Sequence, residues 1–154
     1  MTCNGSGEAT IDGSTRTPSH LWIVGAATTL VNGSGCFDYL MTHTRNARYL
    51  ANFTDPQRVY FESFPLWMEA VWAFGVWGGL AGSLLLLARS RHAVTAFAVS
   101  LAGLAISTAY QYALADPPED IWIGAMIGGT VMLWAVAVGL LLYALRMRGR
   151  GVLR

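Results

Sequence analysis

The sequence contains no lysine; all ten basic residues are arginine. Charge of either sign is scarce, at 12% of 154 residues, against about 25% in ordinary soluble domains. A water-exposed surface of this size cannot be covered with so little charge, which excludes a soluble globular domain. Disorder is excluded as well, because it requires low hydrophobicity and high net charge. A formal net charge of +1 excludes binding driven by neutralisation of nucleic-acid phosphates, so no nucleic-acid partner is expected. Cysteine is limited to Cys3 and Cys36. Also missing are H-E-x-x-H, C-x-x-C, a phosphate-binding loop and G-x-S-x-G, so no cofactor, metal or catalytic set is expected.

Apolar residues dominate instead, at 54%, and they fall in long runs. A bilayer core of about 30 Å needs about 20 mostly apolar helical residues. Four stretches qualify, at about 21–41, 66–88, 93–114 and 121–145, and only Asp38 and Glu69 carry formal charge inside them. No ten-residue alternation separated by turns suggests a β-barrel, and backbone satisfaction in lipid then requires helices. The expected fold is all-α: an integral membrane four-helix bundle, with the lipid bilayer as its first partner. Residues 1–19 form a polar tail, 20–146 the membrane domain and 147–154 a basic tail. The run Leu21–Val31 followed by Asn32-Gly33-Ser34-Gly35-Cys36 has the outline of a lipoprotein signal. Gly33 stands where such a signal carries a large aliphatic residue, however, and the apolar run resumes at Phe37–Met41.

Arginine placement orients the spans. Arg16, Arg89, Arg91, Arg146, Arg148, Arg150 and Arg154 would share one side; the loop after the first span holds Arg45, Arg48 and Arg58, and the loop Asp116–Asp120 holds none. Both termini are therefore expected in the cytoplasm. Trp67, Trp122, Tyr110 and Tyr112 suit the outer interface, and Trp22 and Tyr143 the inner one. Arginine without lysine suggests a GC-rich bacterial genome, hence an inner membrane.

A set of short stretches then stands out: Trp22, Asn32, Gly35 and Asp38–Thr42; Thr44-Arg45-Asn46; Tyr60-Phe61 with Phe64-Pro65; Trp72-Ala73, Val76-Trp77, Gly82-Ser83 and Leu84–Leu87. The set resembles a family of small four-span bacterial inner-membrane proteins of unestablished activity, sometimes labelled "sugar transporter", over about residues 20–114. The resemblance implies a helical bundle and brings no catalytic or binding residue with it.

Small residues recur at helical spacing in three spans: Gly75, Gly79 and Ser83; Gly124 and Gly128 with Ala135 and Gly139; Ser100, Gly103 and Ser107 with Tyr110. Such stripes let backbones approach in lipid, either inside one bundle or across a homodimer. The turn at Arg89–His92 is too short for anything but antiparallel neighbours. Between the first two spans, Ala47, Leu50 and Phe53 recur every third residue, which suits a short amphipathic segment on the outer surface. Thr54 and Gln57 have capping-box spacing, with Pro56 in the first turn.

Polar groups inside the spans gather toward the outer side. Asp38, Glu69, Asn32, Gln111, Tyr110 and Trp72 form a candidate polar site, with Arg45, Arg48 and Arg58 as candidate charge partners above it. A carboxylate at mid-membrane costs about 2.5–3.5 kcal/mol and less near the interface, so it is paired, hydrated or used. Three uses are open. The carboxylates clamp the outer segment through arginines, line a pocket for a small polar solute, or carry protons. The corresponding functions are a structural, regulatory or accessory membrane protein, a small-solute transporter working as a dimer, and an intramembrane enzyme.

Overall fold

The structure, a computed structural model, describes residues 18–114 and 125–154. The tail before residue 18, including Cys3 and Arg16, lies outside the described residues. So do the acidic loop, Trp122, Gly124 and the expected start of the fourth span. The described residues form six helices and no strand: α1 Ser19–His43, α2 Ala47–Leu50, α3 Asp55–Glu62, α4 Leu66–Leu87, α5 Ala93–Ala113 and α6 Ala125–Gly149. The α4, α5 and Ile127–Gly149 stretches are long and apolar enough to cross a membrane. Helix α1 is as long as α6, at 25 residues, but Thr28, Thr29, Asn32 and Ser34 break its apolar run.

The α4–α5 seam is the tightest in the molecule, and glycines make it so. A Cβ on Gly103 would lie 2.7 Å from the Gly75 nitrogen, and one on Gly78 would lie 3.1 Å from the Ser100 nitrogen. Both contacts are with backbone, so no side chain could move aside. Gly82 makes room for the Phe97 ring. Across the seam the Ser100 hydroxyl donates to the Gly75 carbonyl oxygen at 2.6 Å. The α1–α4 seam adjoins it on the same helix, with Gly79 facing both Asn32 and Ser100. Gly25 receives Leu87 and Gly79 receives Asn32, whose Nδ2 donates to Ser83 Oγ at 3.1 Å. The Gly75–Gly79–Ser83 stripe is therefore occupied within the chain.

One end of the bundle is closed by a hydrophobic cluster drawn from α1, α4, α5, α6 and the C-terminus. It includes Leu21, Leu86, Phe97, Ala144, Met147, Val152 and Leu153. His20 Nδ1 and the Tyr143 hydroxyl lie 2.7 Å apart at the same end. Helix α6 runs on past Leu145 to Gly149 and then stops in a Schellman turn. Val152 N–H donates to the Met147 carbonyl, and Gly151 N–H to that of Arg148. Gly151 takes the left-handed φ of +70° that this turn requires. The same two bonds close α4 at Arg89 and α1 at Arg45, with φ of 57° and 50°, an unusual conformation for a residue with a Cβ. The C-terminal segment, read from the sequence as a basic tail, is docked. Arg91 N–H donates to the Arg154 carbonyl oxygen and Arg154 N–H to that of Arg89, each at 2.8 Å. Burial of Val152 and Leu153 explains the docking, because two apolar residues follow the turn glycine.

Candidate functional site

The expected polar constellation separates into four places, partly because α1 turns its polar residues in different directions. Asp38 points to the outer segment, where its carboxylate accepts a hydrogen bond from the Tyr49 hydroxyl. That bond, with burial and the carboxylate charge behind it, pushes the Tyr49 phenol up from 10.0 to about 12. Tyr49 is the third residue of α2, whose N-cap Asn46 accepts from the Tyr49 N–H. Helix α2 is a single turn. Helix α3 then starts with the capping box read from the sequence, Thr54 and Gln57 satisfying each other's backbone N–H groups.

Tyr39 and His43, four residues apart on the same face of α1, stack with centroids 5.4 Å apart and planes 7° from parallel. His43 Nδ1 lies 3.1 Å from Glu69 Oε2, and Trp72 meets Tyr39 edge-on at 5.1 Å. Arg45, Arg58 and Glu62 complete the rim of a pocket of only about 20 Å³. Space of that size holds about one water molecule, which is too little for a solute.

Expected pairing of the carboxylates with arginines is not what the contacts give. Asp38 has a phenol and Glu69 an imidazole, while Arg58 pairs with Asp55 in the next turn of its own segment. Arg48 is exposed. The physical reason is rotation: residues 38 and 39 sit about 100° apart on a helix, so Asp38 and the Tyr39–His43 pair cannot face the same neighbours. The i,i+4 spacing of Tyr39 and His43 was the available signal that His43, rather than an arginine, reaches Glu69.

Tyr110 belongs to a ring cluster at the start of α4. It meets Phe64 at 5.9 Å and Trp67 at 5.2 Å, both edge-on, beside buried Tyr60 and Met68. It is packing and not a platform facing Asn32 or Glu69. Burial, helped by Tyr110 and Tyr112, raises the Tyr60 phenol.

The remaining expected residues, Asn32, Gln111 and Trp72, do come together, deeper in the bundle. They line a cavity of about 180 Å³ between α1, α4, α5 and α6, with Trp72 forming a wall common to this cavity and the outer pocket. Most of the lining is apolar, including Val76, Phe97, Leu104, Val136 and Leu140. Two serines missed as site residues, Ser100 and Ser107, also line it; spacing alone marks them as a packing stripe. Ser100 is spent on Gly75. Ser107 is 6% exposed, and its hydroxyl has no hydrogen-bond partner. Every other serine or threonine hydroxyl with a backbone bond in α1, α4 or α5 finds a carbonyl. Thr28, Thr29, Ser34, Ser83 and Thr108 bond back along their own helices, and Ser100 bonds across to α4.

The cavity exists because α6 leans on α5 without following it. Trp134 Nε1 donates to Thr108 Oγ1 at 3.3 Å, and Leu140 and Ala144 reach the closed end. Gly128, Gly129 and Gly139 meet nothing within 4 Å. Cys36 is buried, with its thiol donating to the Val76 carbonyl oxygen. No group of three or more histidine, cysteine or carboxylate side chains is placed to hold a metal ion among the described residues. Family models, curated proteins and solved structures contain no match to this chain.

Proposed function

We propose that this chain is a four-span membrane protein of accessory character whose working site is the helix-lined cavity between α1, α4, α5 and α6. The observation that carries the reading is the unpartnered Ser107 hydroxyl in a mostly apolar cavity of about 180 Å³. A closed apolar cavity of about 150 Å³ already accepts a benzene-sized guest, and ligand sites in bundles combine apolar walls with a few polar groups.

Helix α1 serves as the fourth span. Its 25 residues reach about 37 Å, and Trp22, Ile23, Leu30 and Phe37 are exposed as a lipid-facing surface would be. Its polar side chains are satisfied within the bundle: Thr28 and Thr29 by the carbonyls of Val24 and Gly25, and Asn32 by Thr28 and Ser83. Polar residues bonded in this way are tolerated in membrane helices. Arg89, Arg91, Arg146, Arg148, Arg150 and Arg154 stand around the closed end, and the positive-inside rule puts that end in the cytoplasm. The short outer helices and the His43–Glu69 pair then lie at the opposite face of a bacterial inner membrane.

Single-cysteine labelling with a membrane-impermeant maleimide, in a background with Cys3 and Cys36 replaced by serine, tests this arrangement. A cysteine replacing Ser63 is expected to label in intact cells, and one replacing Arg150 only after lysis. Labelling of both positions in intact cells would refute it.

A second reading, a small polar-solute transporter working as a homodimer, is favoured by the open glycine row of α6, Gly128 and Gly139. Close helix approach across a dimer axis would fill that row. Disulfide crosslinking between copies carrying Gly139→Cys in native membranes supports this reading if a dimer band forms, and its absence removes it.

A further inference from the structure

We propose that the cavity takes an uncharged single-chain amphiphile directly from the bilayer, through a side opening between α1 and α6, and that Ser107 donates a hydrogen bond to its carbonyl or ester oxygen. This inference rests on the four-span reading above and names the ligand class of that site.

Four observations converge on it. The first is position. On the outer face of the cavity stand Val31 of α1 and Leu133 of α6, 47% and 53% exposed although both also line it. Val31 is the central residue of α1, about 18 Å of helix from either end. An opening there would meet hydrocarbon, so whatever enters must already be dissolved in the membrane.

Shape is the second. From Phe97 to Gln111 the lining spans fourteen residue steps of α5, roughly 21 Å at 1.5 Å per residue. A space that long holding only about 180 Å³ is a narrow cleft, matched by one chain and not by a ring system or a diacyl lipid.

Charge is the third. Among the described residues, no arginine, histidine, aspartate or glutamate lines this cavity. A phosphate or carboxylate carried into it would go unpaired, and burying an unpaired charge is far costlier than burying a dipole. The head group is therefore neutral.

The fourth is the hydroxyl itself. A buried hydroxyl without a partner is costly, and helical serines ordinarily spend theirs on the carbonyl four residues back, as Ser83 does. Ser107 stands unspent on the cavity lining, with Gln111 one turn further along α5. A ligand oxygen that accepts from Ser107 satisfies it, and the apolar chain then runs past Leu104 toward Phe97.

The test uses the full chain in lipid nanodiscs and an eight-carbon fatty-acid methyl ester carrying a photoactivatable diazirine near its ester. Saturable labelling is expected on the α5 stretch from Ser100 to Ser107, competed by excess unlabelled methyl octanoate. Ser107→Ala, which removes one oxygen and leaves the packing, is expected to weaken competition about fivefold to tenfold, the scale of one hydrogen bond. Ala137→Phe places a ring in the cleft and is expected to abolish labelling, with unchanged helicity reporting that the variant folds. Labelling that never saturates, or that marks only outward residues, would overturn the proposal. So would equal labelling by a phosphatidylcholine bearing the same diazirine chain, or an unchanged competition curve for Ser107→Ala. These outcomes leave the maleimide topology result untouched, so failure of the ligand assignment is distinguishable from failure of the four-span reading.

Discussion

The α4–α5 seam and helix α6 are built from the same kind of residue and behave oppositely. In the seam, glycines bring two backbones into contact, so that a Cβ at Gly103 would sit 2.7 Å from the Gly75 nitrogen. On α6, Gly128, Gly129 and Gly139 face open space. Small residues at helical spacing therefore permit close approach without causing it. What commits the seam is the connection: the turn from Ala88 to His92 forces α4 and α5 together, and the Arg89 Schellman turn fixes its exit. Among the described residues, α6 meets α5 through the Trp134–Thr108 bond in its first half and joins the hydrophobic cluster at the closed end through Leu140, Ala144 and Met147.

The comparison is broken most forcefully by placing alanine on each side of it. Gly103→Ala must push backbone apart and is expected to cost about 1–3 kcal/mol, the usual range for overpacking. Gly128→Ala is expected to cost nothing and to gain up to about 1 kcal/mol from helix propensity. Unfolding in a mild detergent measures both. Equal effects would mean that the seam is not the rigid element.

The closed end comes next. Alanine at Gly151 meets no atom within 4 Å, so only its φ of +70° is strained. An expected loss of about 1–2 kcal/mol should appear as faster proteolysis of the C-terminal segment. An unchanged cleavage rate would show that the clasp to Arg89 and Arg91 does not depend on the turn.

A smaller effect is expected from Asn32→Ala, which removes the bond to Ser83. Interhelical hydrogen bonds in membranes average about 0.6 kcal/mol and reach about 1.7. A loss well above that range would mean that Asn32 does more than join α1 to α4.

Least disruptive at neutral pH is Tyr49→Phe. The folded Tyr49 phenol titrates at about 12 against an ordinary 10.0. Its contribution is therefore complete below pH 10 and is lost as pH rises through about 12. The parent should lose stability across that window relative to its value at pH 9, and the phenylalanine variant should lose less. Parallel pH curves would remove the Tyr49–Asp38 bond from the account.

Much of this architecture is legible in the sequence, and the gaps have identifiable causes. The bounds of α4 and α5 follow from unbroken apolar runs stopped by Pro65 and by the turn at Ser90–His92. The capping box of α3 follows from Thr54 and Gln57. All-helical character follows from the length of the runs. Pairing of polar groups is less legible, because it depends on the rotation of α1 about its axis, which spacing from the span end does not give. Asp38 and Glu69 share a depth in the linear reading, yet Asp38 meets Tyr49 and Glu69 meets His43. Docking of the C-terminus had a readable signature, Gly151 followed by Val152-Leu153, masked by the arginines around it. The Ser107 site had none: whether a serine on a small-residue stripe is packed or left facing a cavity depends on where α6 leans.

One measurement tests the central claim most directly. Spin labels attached to cysteines replacing Val31 and Leu133 in the reconstituted protein report which solvent bathes the gap between α1 and α6. The account predicts strong relaxation by dissolved oxygen and almost none by a water-soluble nickel chelate at both positions, as expected for hydrocarbon. Strong relaxation by the nickel chelate at position 31 would contradict it, because α1 would then lie in water and the bundle would lose its fourth span and its opening to lipid together.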